Sequence, residues 1–330
     1  MGLLRCLLAV LVMASHAGWR LGDVNPGVSA VVIFFMISGY VMTALLHVHY
    51  TRLSAMGAFL LDRCARLFPQ FLFYTLLAGC CVRSGLLPQP FWVADTSWLK
   101  FLGNFLMLPN GFYMFLGMDR ALVLPQSWTL GLELCFYAVF PLLIGGRRKL
   151  FAGALSVLVF IAAWSGHLAT DVYGYRLLPG TLFIFLSGSA MYDLRKAGQP
   201  AVLLHAFLLA VWLGAGALYI AMRLHPYLAV PNNPSVLVGI LVGLPLVYGL
   251  SGRPETAFSR YAGDLSYGLY LNHFLGLWIV QAWLTGATVL DRVVLVLLPA
   301  LAMSAATYRL LERPVLRRRR RWRAQYERSH

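Results

Sequence analysis

Acidic side chains are scarce: 12 Asp and Glu stand against 27 Lys and Arg in 330 residues, and charged residues of both signs make up only 12% of the chain. So little charge cannot solvate a soluble surface when 60% of residues are hydrophobic and the mean hydropathy is +0.71. The ~10-residue alternating segments of an outer-membrane barrel are also missing. So are internal repeats, low-complexity tracts and long linkers. The cysteines Cys6, Cys64, Cys80, Cys81 and Cys135 form no CxxC pair and no metal-ligand spacing. No metal site is therefore expected, and the thiols read as small core residues rather than disulfides, with vicinal Cys80 and Cys81 as a redox pair the alternative.

What is present is a series of long apolar runs. A helix satisfies its backbone internally, as lipid requires, and crosses the bilayer with ~20 mainly apolar residues. Runs bounded by charge or Pro/Gly clusters predict spans at 4–19, 30–47, 67–86, 127–145, 150–164, 177–193, 201–222, 235–250, 263–284 and 291–311. The expected fold is an all-α, polytopic transmembrane bundle of about ten spans. Residues 1–314 would form the membrane domain and 315–330 a basic cytoplasmic tail.

Charge sets the orientation. With the N-terminus inside, the cytoplasmic loops hold Arg52, Arg63 and Arg66, then Arg147, Arg148 and Lys149, then Arg195 and Lys196, then Arg253 and Arg260. The opposite loops hold scattered single charges, so the positive-inside rule predicts both termini in the cytoplasm. The net charge of +15 suggests nucleic acid at first. Much of the excess, however, is the run Arg317 to Arg321 plus Arg323 beside a hydrophobic segment, the place for an anchor on anionic lipid. No nucleic-acid partner is expected.

Two stretches need separate readings. Residues 98–116 are apolar and aromatic but broken by Pro109, Asn110 and Gly111. They read as a re-entrant or interfacial segment, an extra helix pair being the competing reading. The first span resembles a signal peptide, but it has one positive charge before its apolar core and no clear A-x-A site, which argues against cleavage.

Ionisable groups inside spans are costly unless paired or facing a cavity, so they are the first candidates for function. Arg5 and His16 are eleven residues apart, close to three helical turns, and share one face ~16 Å apart. Histidine, with an ordinary pKa near ~6.5, is the usual neutral-pH general base; an interfacial, snorkelling His is the bland alternative. Ser38 and Gly39 in FFMISGY permit close helix approach. Arg63 and Arg66, at i,i+3 in RCARLFP, share a face and can grip phosphate oxygens, or can serve topology with Asp62 neutralising Arg66. Glu133, in WTLGLE followed by Phe136 and Tyr137, lies at the inferred depth of His16 and could orient it; a bond to a helix end or to Tyr137 is the alternative. Ser266, Tyr270 and His273 form a polar stripe expected to face the interior.

In this order the motifs resemble the membrane-bound acyltransferase-3 family of bacterial O-acyltransferases: R-x10-H, FFMISGY, RCARLFP, WTLGLELCFYAVFP, SYGLYLNH and LERP (Leu311 to Pro314). The resemblance covers essentially the whole chain. It implies a ten-helix inner-membrane enzyme moving an acyl group, most often acetyl, from acyl-CoA to a hydroxyl of an envelope polysaccharide, glycan or glycolipid. No permanently bound cofactor is implied; acyl-CoA is the donor substrate. It maps His16 and Arg5 as catalytic, Glu133 as the motif glutamate, and Arg63 and Arg66 as donor-binding. Arg52 or His49, nearby in the sequence, could add to the cations that hold the donor phosphates. Ser38, Trp128, Tyr137, Tyr270 and His273 are candidate site-lining residues. Thr129 stands where the family more often has Ser. The rival expectation is a transporter or flippase of a lipid-linked sugar, which predicts pseudo-symmetric halves.

Overall fold

The computed structural model describes residues 1–87, 93–95, 97–196, 202–228, 230–284 and 286–329. Among them the chain forms helices and no β-sheet: α1 (Gly2–His16), α2 (Pro26–His49), α3 (Met56–Arg83), α4 (Trp98–Gly103), α5 (Trp128–Leu143), α6 (Gly146–Trp164), α7 (Leu178–Lys196), α8 (Val202–Leu224), α9 (Asn233–Leu250), α10 (Ala257–Trp283), α11 (Val289–Thr307) and α12 (Arg313–Ser329). Each of the ten predicted spans falls on a helix; residue 201, where one begins, lies outside the described residues. Among the described residues, six helical segments are long and apolar enough to cross a membrane: Pro26–His49, Leu53–Arg83, Val172–Lys196, Val202–Leu224, Asn233–Leu250 and Val289–Arg323. α1 is a shorter apolar helix.

Helix boundaries follow local chemistry. Asn25 caps α2, its side chain accepting from the amides of Gly27 and Val28, with Pro26 in the first turn where its missing N–H costs nothing. Thr288 and Asp291 form a reciprocal capping box at α11. Pro69, Pro141, Pro245 and Pro299 lie within helices, a placement that membrane helices tolerate.

The helices group into two compact units. The first contains Met1, Trp19–Leu53 and Cys135–Thr256. In it α2 packs on α7 and α9, α6 on α7, and α8 on α9. The α2–α7 seam bears out the close approach expected at Gly39: a Cβ there would stand 1.8 Å from the Phe185 carbonyl oxygen, and one at Gly188 would stand 1.8 Å from that of Met36. The neighbouring Ser38 is buried, and the seam is filled by Phe35 and Phe136 stacked on Phe185. Tyr137 is buried, whereas Arg52 is exposed. The outward faces of α8, including Leu203, Leu209, Leu213 and Ile220, are bare apolar surface suited to lipid.

Lys149 does not act as a loop charge, as its place among the cytoplasmic basic residues implied. It is fully buried and paired with Asp193 of α7, which His47 also approaches at 3.7 Å. Removing one member of a buried pair strands the other charge. Lys149→Met is therefore expected to cost ~3–5 kcal/mol, while the Lys149→Met, Asp193→Leu double variant should recover most of it. Thermal unfolding in detergent checks this, and equal losses in the single and double variants would contradict it.

The second unit contains Gly2–Gly18, Ser54–Leu134 and Ala257–His330. Here α1 and α11 pack on α10, and α12 packs on α3. α1 and α10 run in the same direction, with Gly2 against Ser259 and Gly263 at one end and His16 against His273 at the other. Residues 98–116 hold no extra helix pair: α4 has six residues and short 3₁₀ turns follow it. Polar side chains replace the missing helical bonds. Lys100 bonds Asp95 and the Gly117 carbonyl, each at 2.7 Å, and its hydrogen bond holds the Asp95 carboxyl below its usual range. Buried Asn104 bonds the Lys100 and Ala121 carbonyls and accepts from the Val123 amide. Buried Asn110 bonds Ser127 Oγ at 2.9 Å. Met107 takes a positive φ of 62°, a strained conformation that persists only where its surroundings dictate it.

The expectation that the cysteines are core residues is not met. Cys80 is exposed and the other four are half-buried, because the outside of these helices is itself apolar and accepts a thiol as readily as a core does.

Candidate active site

The segment 98–116 buttresses the start of α5. Gly111 and Gly131 cross so closely that a Cβ on Gly131 would stand 2.4 Å from the Gly111 amide nitrogen. This explains the glycine in WTLGLE: a side chain there would push the motif off its support. The motif is thereby held against α10. Thr129 Oγ1 meets Tyr270 Oη at 2.7 Å. Gln126 Nε2 donates to the carbonyls of Tyr270 at 3.1 Å and Leu271 at 2.8 Å. Trp128 is buried beside them, and Glu133, half-buried, lies within electrostatic range of Tyr267 and Tyr270.

The polar stripe faces inward as expected: Ser266, Tyr270, Asn272 and His273 are all buried. Asn272 bonds the Ala300 carbonyl at 2.9 Å and Ser304 Oγ at 3.2 Å, tying α10 to α11. His273 bonds the Tyr270 carbonyl through Nδ1 at 2.8 Å. Its Nε2 lies 2.9 Å from Nδ1 of His16, with the rings nearly parallel at 7°. His16, unlike His273, is exposed.

The partners decide the tautomers. A carbonyl only accepts, so His273 Nδ1 carries the hydrogen. A second proton would put a charge on a fully buried ring, which is costly, so His273 Nε2 carries the lone pair. His16 Nδ1 must then donate, and neutral His16 bears its lone pair on Nε2. The His273 imidazole thus holds the histidine of R-x10-H at its Nδ1. The chain runs from Gln126 through the Tyr270 carbonyl and His273 to His16.

The other end of α1 carries the cations. A Cβ on Gly263 would stand 2.8 Å from Arg5 Nη2, so the Arg5 guanidinium lies across α10 at that glycine. Arg5 is also within electrostatic range of Glu312. Arg66 pairs with Glu312 at 2.5 Å and lies over the Tyr267 ring at 5.2 Å. The expected neutralisation of Arg66 by Asp62 is therefore corrected. Asp62 is taken up by Arg63, Arg319 and Arg323, while the buried Glu312 of LERP reaches Arg66 from the π-helical turn Tyr308–Glu312. Arg319 and Arg323 correct the tail reading in part, since they turn inward rather than towards a lipid surface.

The second unit therefore brings together Arg5, His16, Arg63, Arg66, Trp128, Glu133, Tyr270 and His273. Ser38, Arg52 and Tyr137 belong to the first unit. Sequence reasoning did not name Gln126, Asp62 or Glu312 as site candidates; Asp62 left a signal beside Arg63 and Arg66, and Glu312 as the acid of LERP, whereas Gln126 left none.

A family model described as an acyltransferase domain matches residues 1–309. The chain belongs to the acyltransferase-3 family. It is accordingly a multi-pass helical membrane protein of an acyl-transferring family. Among curated relatives, nodulation protein 10 of Rhizobium leguminosarum bv. viciae is 29% identical, covering 96% of this chain and 93% of its own. The putative membrane-bound transacylase BcsY of Komagataeibacter xylinus is 28% identical over 83% of this chain and 71% of its own. The exopolysaccharide production protein ExoZ of Rhizobium meliloti (strain 1021) is 24% identical over 93% and 96%. No solved structure matches the chain.

Proposed function

We propose that this acyltransferase moves an acetyl group from acyl-CoA to a hydroxyl of an envelope polysaccharide, glycan or glycolipid, with His16 as general base. The observation that carries the reading is the His16–His273 hydrogen bond, which directs the His16 lone pair to Nε2. Family membership supplies acyl transfer, BcsY is by name a membrane-bound transacylase, and the name of ExoZ favours a polysaccharide acceptor. The chain would sit in the bacterial inner membrane with ten spans and both termini cytoplasmic, so that Arg5, Arg63 and Arg66 meet the donor from the inner side.

In the proposed step, His16 Nε2 takes the proton of the acceptor hydroxyl as its oxygen attacks the thioester carbonyl. The C–S bond then breaks, and the CoA sulfur leaves with the proton held by His16. Glu133 would stabilise the transient imidazolium through its field. The rise of ~16 Å between Arg5 and His16 on one helix is a distance an extended pantetheine arm can cover, with its phosphates at the arginines and its thioester at His16.

Hydrogen bonds to charged groups contribute ~1.5–3 kcal/mol. Arg63→Ala is therefore expected to raise the KM for acyl-CoA by ~10–100-fold with a smaller change in kcat. Steady-state transfer from labelled acetyl-CoA checks this, and an unchanged KM would remove Arg63 from the donor site. A flippase would release no CoA in the same assay.

A further inference from the structure

A tail that merely anchors to lipid would turn its arginines outward. In α12 the run is divided instead: Arg317, Arg318, Arg320 and Arg321 are exposed, whereas Arg319 and Arg323, at i,i+4 on one face, fold onto α3. There Asp62, itself fully buried, receives three guanidinia. Arg63 bonds its Oδ2, Arg319 Nε lies 2.7 Å from Oδ1, and Arg323 reaches Oδ1 at 2.8 Å and Oδ2 at 3.2 Å. A single carboxylate leaves such a cluster positively charged. Arg66 stands close by, and its partner Glu312 has Asp264 near it. Arg319 Nη1 is buried with no hydrogen-bond partner among the described residues. An unfilled donor beside surplus charge fits a multivalent oxyanion such as a phosphate ester, which offers more acceptor oxygens and more charge than Asp62.

We propose that α12 completes the donor site: Arg319 and Arg323 bind a phosphate of acyl-CoA alongside Arg63, and Asp62 holds the three guanidinia in place until that phosphate displaces it. The inference rests on the proposed acyl-CoA donor. The terminal 3′-phosphate is the group assigned to α12, because the diphosphate must stay on the path to Arg66, Arg5 and His16.

The test is equilibrium binding of CoA and of dephospho-CoA, which lacks the 3′-phosphate, to the full-length protein in detergent. Arg319→Ala with Arg323→Ala should weaken CoA binding by ~10-fold or more and leave dephospho-CoA binding nearly unchanged. The outward pair Arg317→Ala with Arg318→Ala should alter neither. Asp62→Asn removes the competing charge and should tighten CoA binding, a gain that a purely structural role would not give. If the alanine pair unfolds, Arg319→Lys with Arg323→Lys keeps the charge without the planar fork and should give a smaller loss, again confined to CoA. Wild-type affinity for CoA in the alanine pair would overturn the inference alone. Failure of the wild-type protein to bind CoA would overturn the donor assignment with it. Loss of binding to phosphatidylglycerol vesicles with CoA binding intact would make α12 a lipid anchor and overturn the inference.

Discussion

Replacing His16 by alanine is expected to lower acyl transfer by ~10²–10⁴-fold, the range that positioned general bases contribute. The loss should fall on kcat, with the KM for acyl-CoA little changed, because Arg5 lies about three turns from His16 along α1 and Arg63 and Arg66 lie on another helix, α3. A general base is lost as it takes up a proton on acidification, so the acid limb of the pH–rate profile should disappear in the variant, which has no base to lose. Full activity in His16→Ala would end its assignment as the base.

The second large effect is expected at His273, a positioning residue that acts through His16. His273→Leu removes the acceptor of the His16 Nδ1 hydrogen, and with it the bond that favours the productive tautomer. Transfer should fall on the order of 10²-fold, with a displaced acid limb and an unchanged donor KM. An amide carries both a donor and an acceptor, as a neutral imidazole does. His273→Gln can therefore bond the Tyr270 carbonyl with one atom and His16 with the other, and should retain most of the lost rate. A merely structural role predicts that Leu and Gln fail alike, with unfolding temperature tracking activity. Unshifted pH profiles in both variants would confine His273 to packing.

Much of this was legible because lipid forbids what water permits. Apolar runs placed a helix at each predicted position, six of them in segments long and apolar enough to cross a membrane, and the cost of charge in lipid singled out Arg5, His16, Arg63, Arg66 and Glu133 as candidates. Helical periodicity put Arg5 and His16 on one helix and turned the Ser266–Tyr270–His273 stripe inward. What the sequence left open were pairings between helices far apart in the chain. Periodicity says which face is polar, not which face it meets, so His273 appeared only as a possible site-lining residue although it lies 2.9 Å from His16. Asp62 was read with Arg66 because i,i+4 is the local rule, yet the carboxylate that reaches Arg66 comes from Glu312, far along the chain. Lys149 looked like a topogenic loop charge because nothing local announces Asp193. Gln126 was invisible as a polar residue just ahead of a motif, since its value lies in the two α10 carbonyls it bonds.

The most direct test of the central claim couples thiol release to acceptor acylation. Purified protein in proteoliposomes is given acetyl-CoA labelled in the acetyl group and an envelope polysaccharide, and free CoA and acceptor mass are followed together. Each CoA released should be matched by one acetyl ester on an acceptor hydroxyl, and His16→Ala should produce neither. Passage of a lipid-linked sugar across the bilayer without thiol release, or equal ester formation in His16→Ala, would contradict it.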